Sequence, residues 1–140
     1  MLYTFSGNIS ISEDLMLKPQ RVPAPAPGKT LTKAVTRAAV LLDVTQAELA
    51  AVLGVSPATV SRMANGTFVL EPGNKTWELS ALFVRLFRSL DALVGSNEAH
   101  ARAWLDSANH ALGAAPKQLI PHAEGLVRVV HYLDSARGRV

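Results

Sequence analysis

Cysteine is absent from the 140 residues, which excludes disulfides, thiolate zinc sites and cysteine nucleophiles and fits a reducing compartment. Long apolar runs are missing too. No uninterrupted apolar stretch exceeds five residues, Ala38–Leu42 being one, whereas a membrane-spanning helix needs ~20. The leading MLYTFSGNIS has neither a positive segment nor an apolar core, so no secretory signal and no membrane partner are expected, and the cytoplasm is the default location.

The sequence marks of catalysis are also lacking. His100, His110, His122 and His131 form no HxxH or HExxH pair, and no carboxylate stands at a ligand interval beside a histidine pair. Glycine-rich phosphate loops are absent, and no serine sits in a nucleophile elbow. The expectation is a protein that is not an enzyme, with no catalytic residues, no metal and no cofactor.

What is present is a composition able to fold. Hydrophobic residues make up 49% and charged residues 18%, too apolar for disorder throughout, and the length suits one domain or two small ones joined. The net charge is +3, a weak sign of an anionic partner. Its placement says more. Residues 29–66 hold four cations and two anions, residues 96–140 hold five and four, and the other two segments balance. A nucleic-acid partner is therefore sought first in 29–66.

Four of the eight prolines fall within Pro19–Pro27, where they favour extended backbone and read as a linker after a short N-terminal arm, together residues 1–28. Within the arm, Ser10 to Glu13 matches a capping box that could open a helical turn or two. From Thr30 to Gly138 the apolar spacing is helical, with no alternating run long enough for a strand, so the fold class is all-α. Leu31, Val35, Ala38, Ala39 and Leu42 define a first helix ending near Asp43. A second runs from Gln46 to Leu53, with Thr45 and Glu48 as its capping box and Gly54 as its stop. A third starts with Ser56 as N-cap and Pro57 at the first helical position, and ends near Ala64. A long helix over 76–94 carries Leu79, Leu82, Phe83, Leu86, Phe87, Leu90, Leu93 and Val94 on one continuous face. That face exceeds what one small bundle needs, so residues 67–95 are expected to connect the two halves and to contribute a dimer contact. Ser96 is expected to cap a further helix, Pro116–Ile120 forms a short turn, and a last helix covers roughly 122–136.

Between Gln46 and Met63, two short helices meet at a corner. Ala50 is small where they touch, Gly54 makes the turn, and Leu49, Leu53, Val55, Val60 and Met63 fill the wedge. This stretch resembles the helix-turn-helix of Xre-type and phage-repressor-like regulators, and residues 29–66 are taken as a DNA-binding domain. The resemblance implies that Ser56, Ala58, Thr59 and Ser61 face base edges, that Arg62 reaches a phosphate or a guanine, and that Gln46 clamps a phosphate. No acidic residue lies on the outward face of the third helix, and Lys29, Lys33 and Arg37 stand just upstream. Long donors are few, so base specificity is expected to lean on DNA shape.

The C-terminal third holds Trp104-Leu105, Asn109, Leu112-Gly113, Pro116, Leu119-Ile120, Glu124-Gly125, Val129, Leu133 and Gly138. Periodicity alone makes residues 96–140 a small helical bundle. With the preceding motif it also resembles the toxin-binding domain of the Xre/MbcA/ParS antitoxins, although His122 stands where that family usually has a small hydroxyl residue. The resemblance implies a type II antitoxin that occludes the active site of a RES-domain, NAD⁺-depleting toxin through its C-terminal region and represses its own operon as a homodimer on operator DNA. Tyr132, Arg137, Gly138, Arg139 and Val140 are the expected toxin contacts, because a nucleotide site favours arginines. The rival readings are a stand-alone helix-turn-helix regulator whose C-terminal part binds a ligand or partner, with Trp77 and Trp104 lining a pocket, and an adaptor that does not read DNA.

Overall fold

The computed structural model describes residues 26–138; the expected capping box at Ser10–Glu13, most of the arm, Arg139 and Val140 lie outside them. Among the described residues the chain forms seven helices and no strand: α1 (Pro27–Leu41), α2 (Gln46–Leu53), α3 (Pro57–Asn65), α4 (Lys75–Leu93), α5 (Glu98–Asp106), α6 (Pro116–Leu119) and α7 (Ala123–Arg137). The all-α architecture expected from the sequence is the one found. An N-terminal helix-turn-helix bundle is followed by a small helical C-terminal part.

The helix α1 begins at Pro27 rather than near Thr30. Proline suits this first position because its missing N–H would have no helical partner there. Gly28 is buried against the backbone that follows α3: a Cβ at this position would lie 2.3 Å from the Leu70 carbonyl oxygen. Thr32 secures the contact by donating to the Gly28 carbonyl at 2.6 Å and accepting from the Leu70 N–H at 2.9 Å. Pro27 and Gly28, which the sequence places in the linker, are thus the docked first turn of a core helix.

α4 is the central member. Phe83, Leu86 and Leu90 are fully buried, as are Leu126, Val129, Val130 and Leu133 of α7, the helix with which α4 packs most extensively. Each such side chain contributes roughly 1.5–3 kcal/mol of transfer free energy. α4 also packs on α1 and α2, so one hydrophobic cluster runs through both halves of the chain. Its apolar face is largely consumed inside the chain. Leu79, Leu82, Phe87 and Val94 are half-buried, and Leu93 is exposed.

The expected cap at Ser96 is displaced by one residue. Asn97 caps α5, its Oδ1 accepting from the His100 N–H at 2.9 Å. Ser96 instead turns left-handed at φ 60°, next to Gly95 at φ 62°, and its hydroxyl donates to Asp91 at 3.0 Å. With its backbone left-handed and its side chain turned back to Asp91, Ser96 leaves the N-cap position to Asn97. His122 begins α7 with no side-chain cap, as its departure from a small hydroxyl residue implies. Gly125, on the first turn of α7, is buried, and a Cβ there would stand 2.1 Å from the Leu119 carbonyl oxygen.

Candidate functional site

The corner between α2 and α3 forms as its chemistry dictates. The Thr45 hydroxyl accepts from the Glu48 N–H at 3.1 Å while Glu48 Oε1 accepts from the Thr45 N–H at 2.9 Å. Gly54 closes α2 at φ 70°, the left-handed region that a residue without Cβ enters at no steric cost. Ala50, Leu49, Leu53, Val60 and Met63 are buried in the wedge.

The outward residues of α3 make a linked ridge rather than a row of independent groups. Ser56 Oγ accepts from the Thr59 N–H at 3.1 Å and lies 3.0 Å from Thr59 Oγ1, which accepts from Arg62 Nη2 at 3.3 Å. Thr59 is half-buried by this arrangement, whereas Ser56, Ala58, Ser61 and Arg62 are exposed. Arg62 is therefore drawn back toward the start of its helix.

Gln46, at the first position of α2, is exposed and lines a groove of about 360 Å³ with Lys33, Thr36, Arg37 and Val40 of α1. Lys29, Lys33 and Arg37 recur every four residues and so share one side of α1. Two of these three cations thus sit beside the glutamine expected to meet phosphate. Val40 is 68% exposed in the same groove, an apolar group beside the cations.

Of the residues expected to meet a toxin, Tyr132 and Arg137 are not brought to one place. Tyr132 is half-buried and stacks on Trp104 of α5, with ring centroids 6.0 Å apart and planes 26° apart. Arg137 lines a separate groove of about 690 Å³ with Arg85 and Arg88 of α4. Five residues of helix turn the chain by about 140°, which separates these two side chains onto different faces of α7. Gly138 ends the helix in a right-handed conformation at φ −74°. Trp77 and Trp104 are both half-buried and packed against the core.

Periodicity could not reveal the ties between the two halves. Lys117 of α6 lies 3.6 Å from Glu48 Oε2 and 3.4 Å from Asp106 Oδ1, and donates to the Asp43 carbonyl at 3.2 Å. Arg102 of α5 donates to the Leu41 carbonyl at 3.1 Å. Asp134 of α7 accepts from Ser89 at 2.9 Å and pairs with Arg85. The backbone hydrogen bond from Thr45 holds the Glu48 carboxyl below its ordinary range, and Lys117 adds to the effect. No local pattern announces such pairs, because their members lie far apart in sequence.

A helix-turn-helix corner with the cations of α1 beside it is joined through the shared helix α4 to a second helical bundle. Residues 22–85 match the antitoxin Xre-like helix-turn-helix domain, and residues 89–139 match the antitoxin Xre/MbcA/ParS C-terminal toxin-binding domain. The chain belongs to the Xre/MbcA/ParS antitoxin family. No curated protein matches it significantly. Among solved structures, a chain of the M. tuberculosis MbcT–MbcA toxin–antitoxin complex is similar, with a TM-score of 0.60 and 22% identity over 79% of this chain and 96% of that one. At that identity the likeness is one of fold.

Proposed function

We propose that this antitoxin neutralises a RES-domain, NAD⁺-depleting toxin by covering its active site with residues 96–140, and represses its own operon through the α2–α3 corner. The observation that carries the reading is the order of the two matched domains, helix-turn-helix and then toxin-binding, along one continuous core. The likeness of fold to a chain in a toxin–antitoxin complex supports it, and the RES-type partner follows from the family resemblance.

On the DNA side, the exposed start of α3 enters the major groove, with Ser56, Ala58, Thr59 and Ser61 toward base edges and Arg62 toward a phosphate or a guanine. Gln46 holds the backbone with help from the N–H groups at the start of α2. Helix-turn-helix proteins usually read two half-sites, which favours two copies on the operator. On the toxin side, Arg137 and Arg139 of the cationic end meet nucleotide-binding groups, with Tyr132, Gly138 and Val140 alongside. The setting is the cytoplasm, where both partners are made.

The test is to identify the reading frame beside this gene and co-express its product with this chain, following cellular NAD⁺ and growth. The full chain is expected to preserve both, and deletion of residues 137–140 to restore depletion. Full protection by the truncated chain would shift inhibition to the surface of the bundle. A neighbouring toxin of another class would remove the RES assignment and leave the antitoxin.

A further inference from the structure

The groove formed by α1, α4 and the end of α7 enters the function proposed above only through Arg137 at its edge, and it combines two chemistries. Leu31, Ala34 and Val84 give it apolar walls, while Arg88 and Arg137 line it alongside the Arg85–Asp134 pair. Asp134 engages Arg85 and Ser89, so its negative charge is directed at α4. An occupant suited to this groove presents apolar side chains next to carboxylates.

The chain itself carries such a segment. Pro27 lines the groove, so the 26 residues before it join the described fold there. Those 26 residues contain two acids, the adjacent Glu13 and Asp14, and both are followed directly by Leu15, Met16 and Leu17. The nine residues from Lys18 to Ala26 span at most ~30 Å when extended. The groove runs along α4 from Ala81 to Ser89, about 12 Å of helix. The linker can therefore reach every part of it.

We propose that the groove is the docking site of this chain's own residues 12–17, with Glu13 and Asp14 set against Arg88 and Arg137 and with Leu15 to Leu17 covering the apolar walls. The pairing matches opposite charges and removes apolar surface from water on both sides. It also covers Arg137, a residue assigned above to the toxin.

Because the chain has no cysteine, an introduced pair reports without background. In the full-length protein, Met16→Cys is combined with Ala81→Cys in the groove or, as a control, with Ala47→Cys on the exposed side of α2. Mild oxidation at micromolar concentration is expected to give an intramolecular link to position 81 and little to position 47. Glu13→Lys with Asp14→Lys should lower the yield about fivefold, and adding Arg88→Glu should recover it. Equal linking to both positions overturns the proposal, as does a yield indifferent to the charges. A link formed only between two chains also overturns it and makes a second copy the occupant.

Discussion

Lys117 reaches from the C-terminal bundle to the carboxylate that caps the helix-turn-helix: its Nζ lies 3.6 Å from Glu48 Oε2, whose partner oxygen accepts from the Thr45 N–H. One cation therefore bears on the start of α2, the helix that presents Gln46. The lysine side chain is 23% exposed and has Asp106 and the Asp43 carbonyl as further partners, so removing it leaves two carboxylates and a carbonyl without their shared donor.

Replacing Lys117 with methionine keeps the apolar stem and removes the charge. The expected cost is roughly 1 kcal/mol, since the pairs are partly solvated and each is worth little alone. Urea denaturation followed by circular dichroism measures it, and a loss several times larger would mean that the lysine stem itself supports the core.

Glu48 gives a signed dependence on pH. Its carboxyl is held below the ordinary value of 4.5 in the fold, first by the Thr45 backbone and then by Lys117. The stabilisation is fully present above pH 4.5 and is lost as pH falls through the lowered folded value. Glu48→Gln can still close the capping box but does not titrate. Its stability below pH 4.5 should fall less steeply than that of the wild type in parallel acid titrations.

Two glycines should separate steric from conformational cost. Gly125→Ala places a methyl group 2.1 Å from the Leu119 carbonyl oxygen and forces α6 and α7 apart, which should cost more than ~2 kcal/mol and weaken toxin neutralisation. Gly54→Ala meets no atom within 4 Å and pays only for its φ of 70°, about 1–2 kcal/mol. Thermal melts of the two variants should rank in that order.

Arg62→Ala should reduce operator affinity. If the guanidinium reaches a phosphate, the loss is uniform across sequences and the salt slope of binding falls by about 1; if it reaches a guanine, specificity relaxes at one position at a cost of about 1–3 kcal/mol. Titrations of operator and scrambled DNA at several salt concentrations distinguish these outcomes, and unchanged affinity would remove α3 from the interface.

Features fixed within a few residues were legible in the sequence. The Thr45–Glu48 box and the stop at Gly54 depend on contacts no longer than one turn, and each formed as its spacing predicts. Ser96 was harder to place because two adjacent residues, Ser96 and Asn97, can both cap, and the choice is settled by Asp91 one turn back. Pro27 and Gly28 look like linker until Leu70, far along the chain, closes on them. The triad of Lys117, Glu48 and Asp106 has no local signature at all. The division of Tyr132 and Arg137 between two faces of α7 follows from their spacing, but the neighbours of each face, Trp104 of α5 for one and Arg85 and Arg88 of α4 for the other, do not.

Arg102 and Lys117 donate to two carbonyls at the passage from α1 to α2, that of Leu41 at the end of α1 and that of Asp43 in the turn beyond it. That connection is tied from outside by α5 and α6, which lie in the half of the chain that matches the toxin-binding domain. A displacement of α5 or α6 would act on the start of α2 through these two hydrogen bonds, with no further residue between.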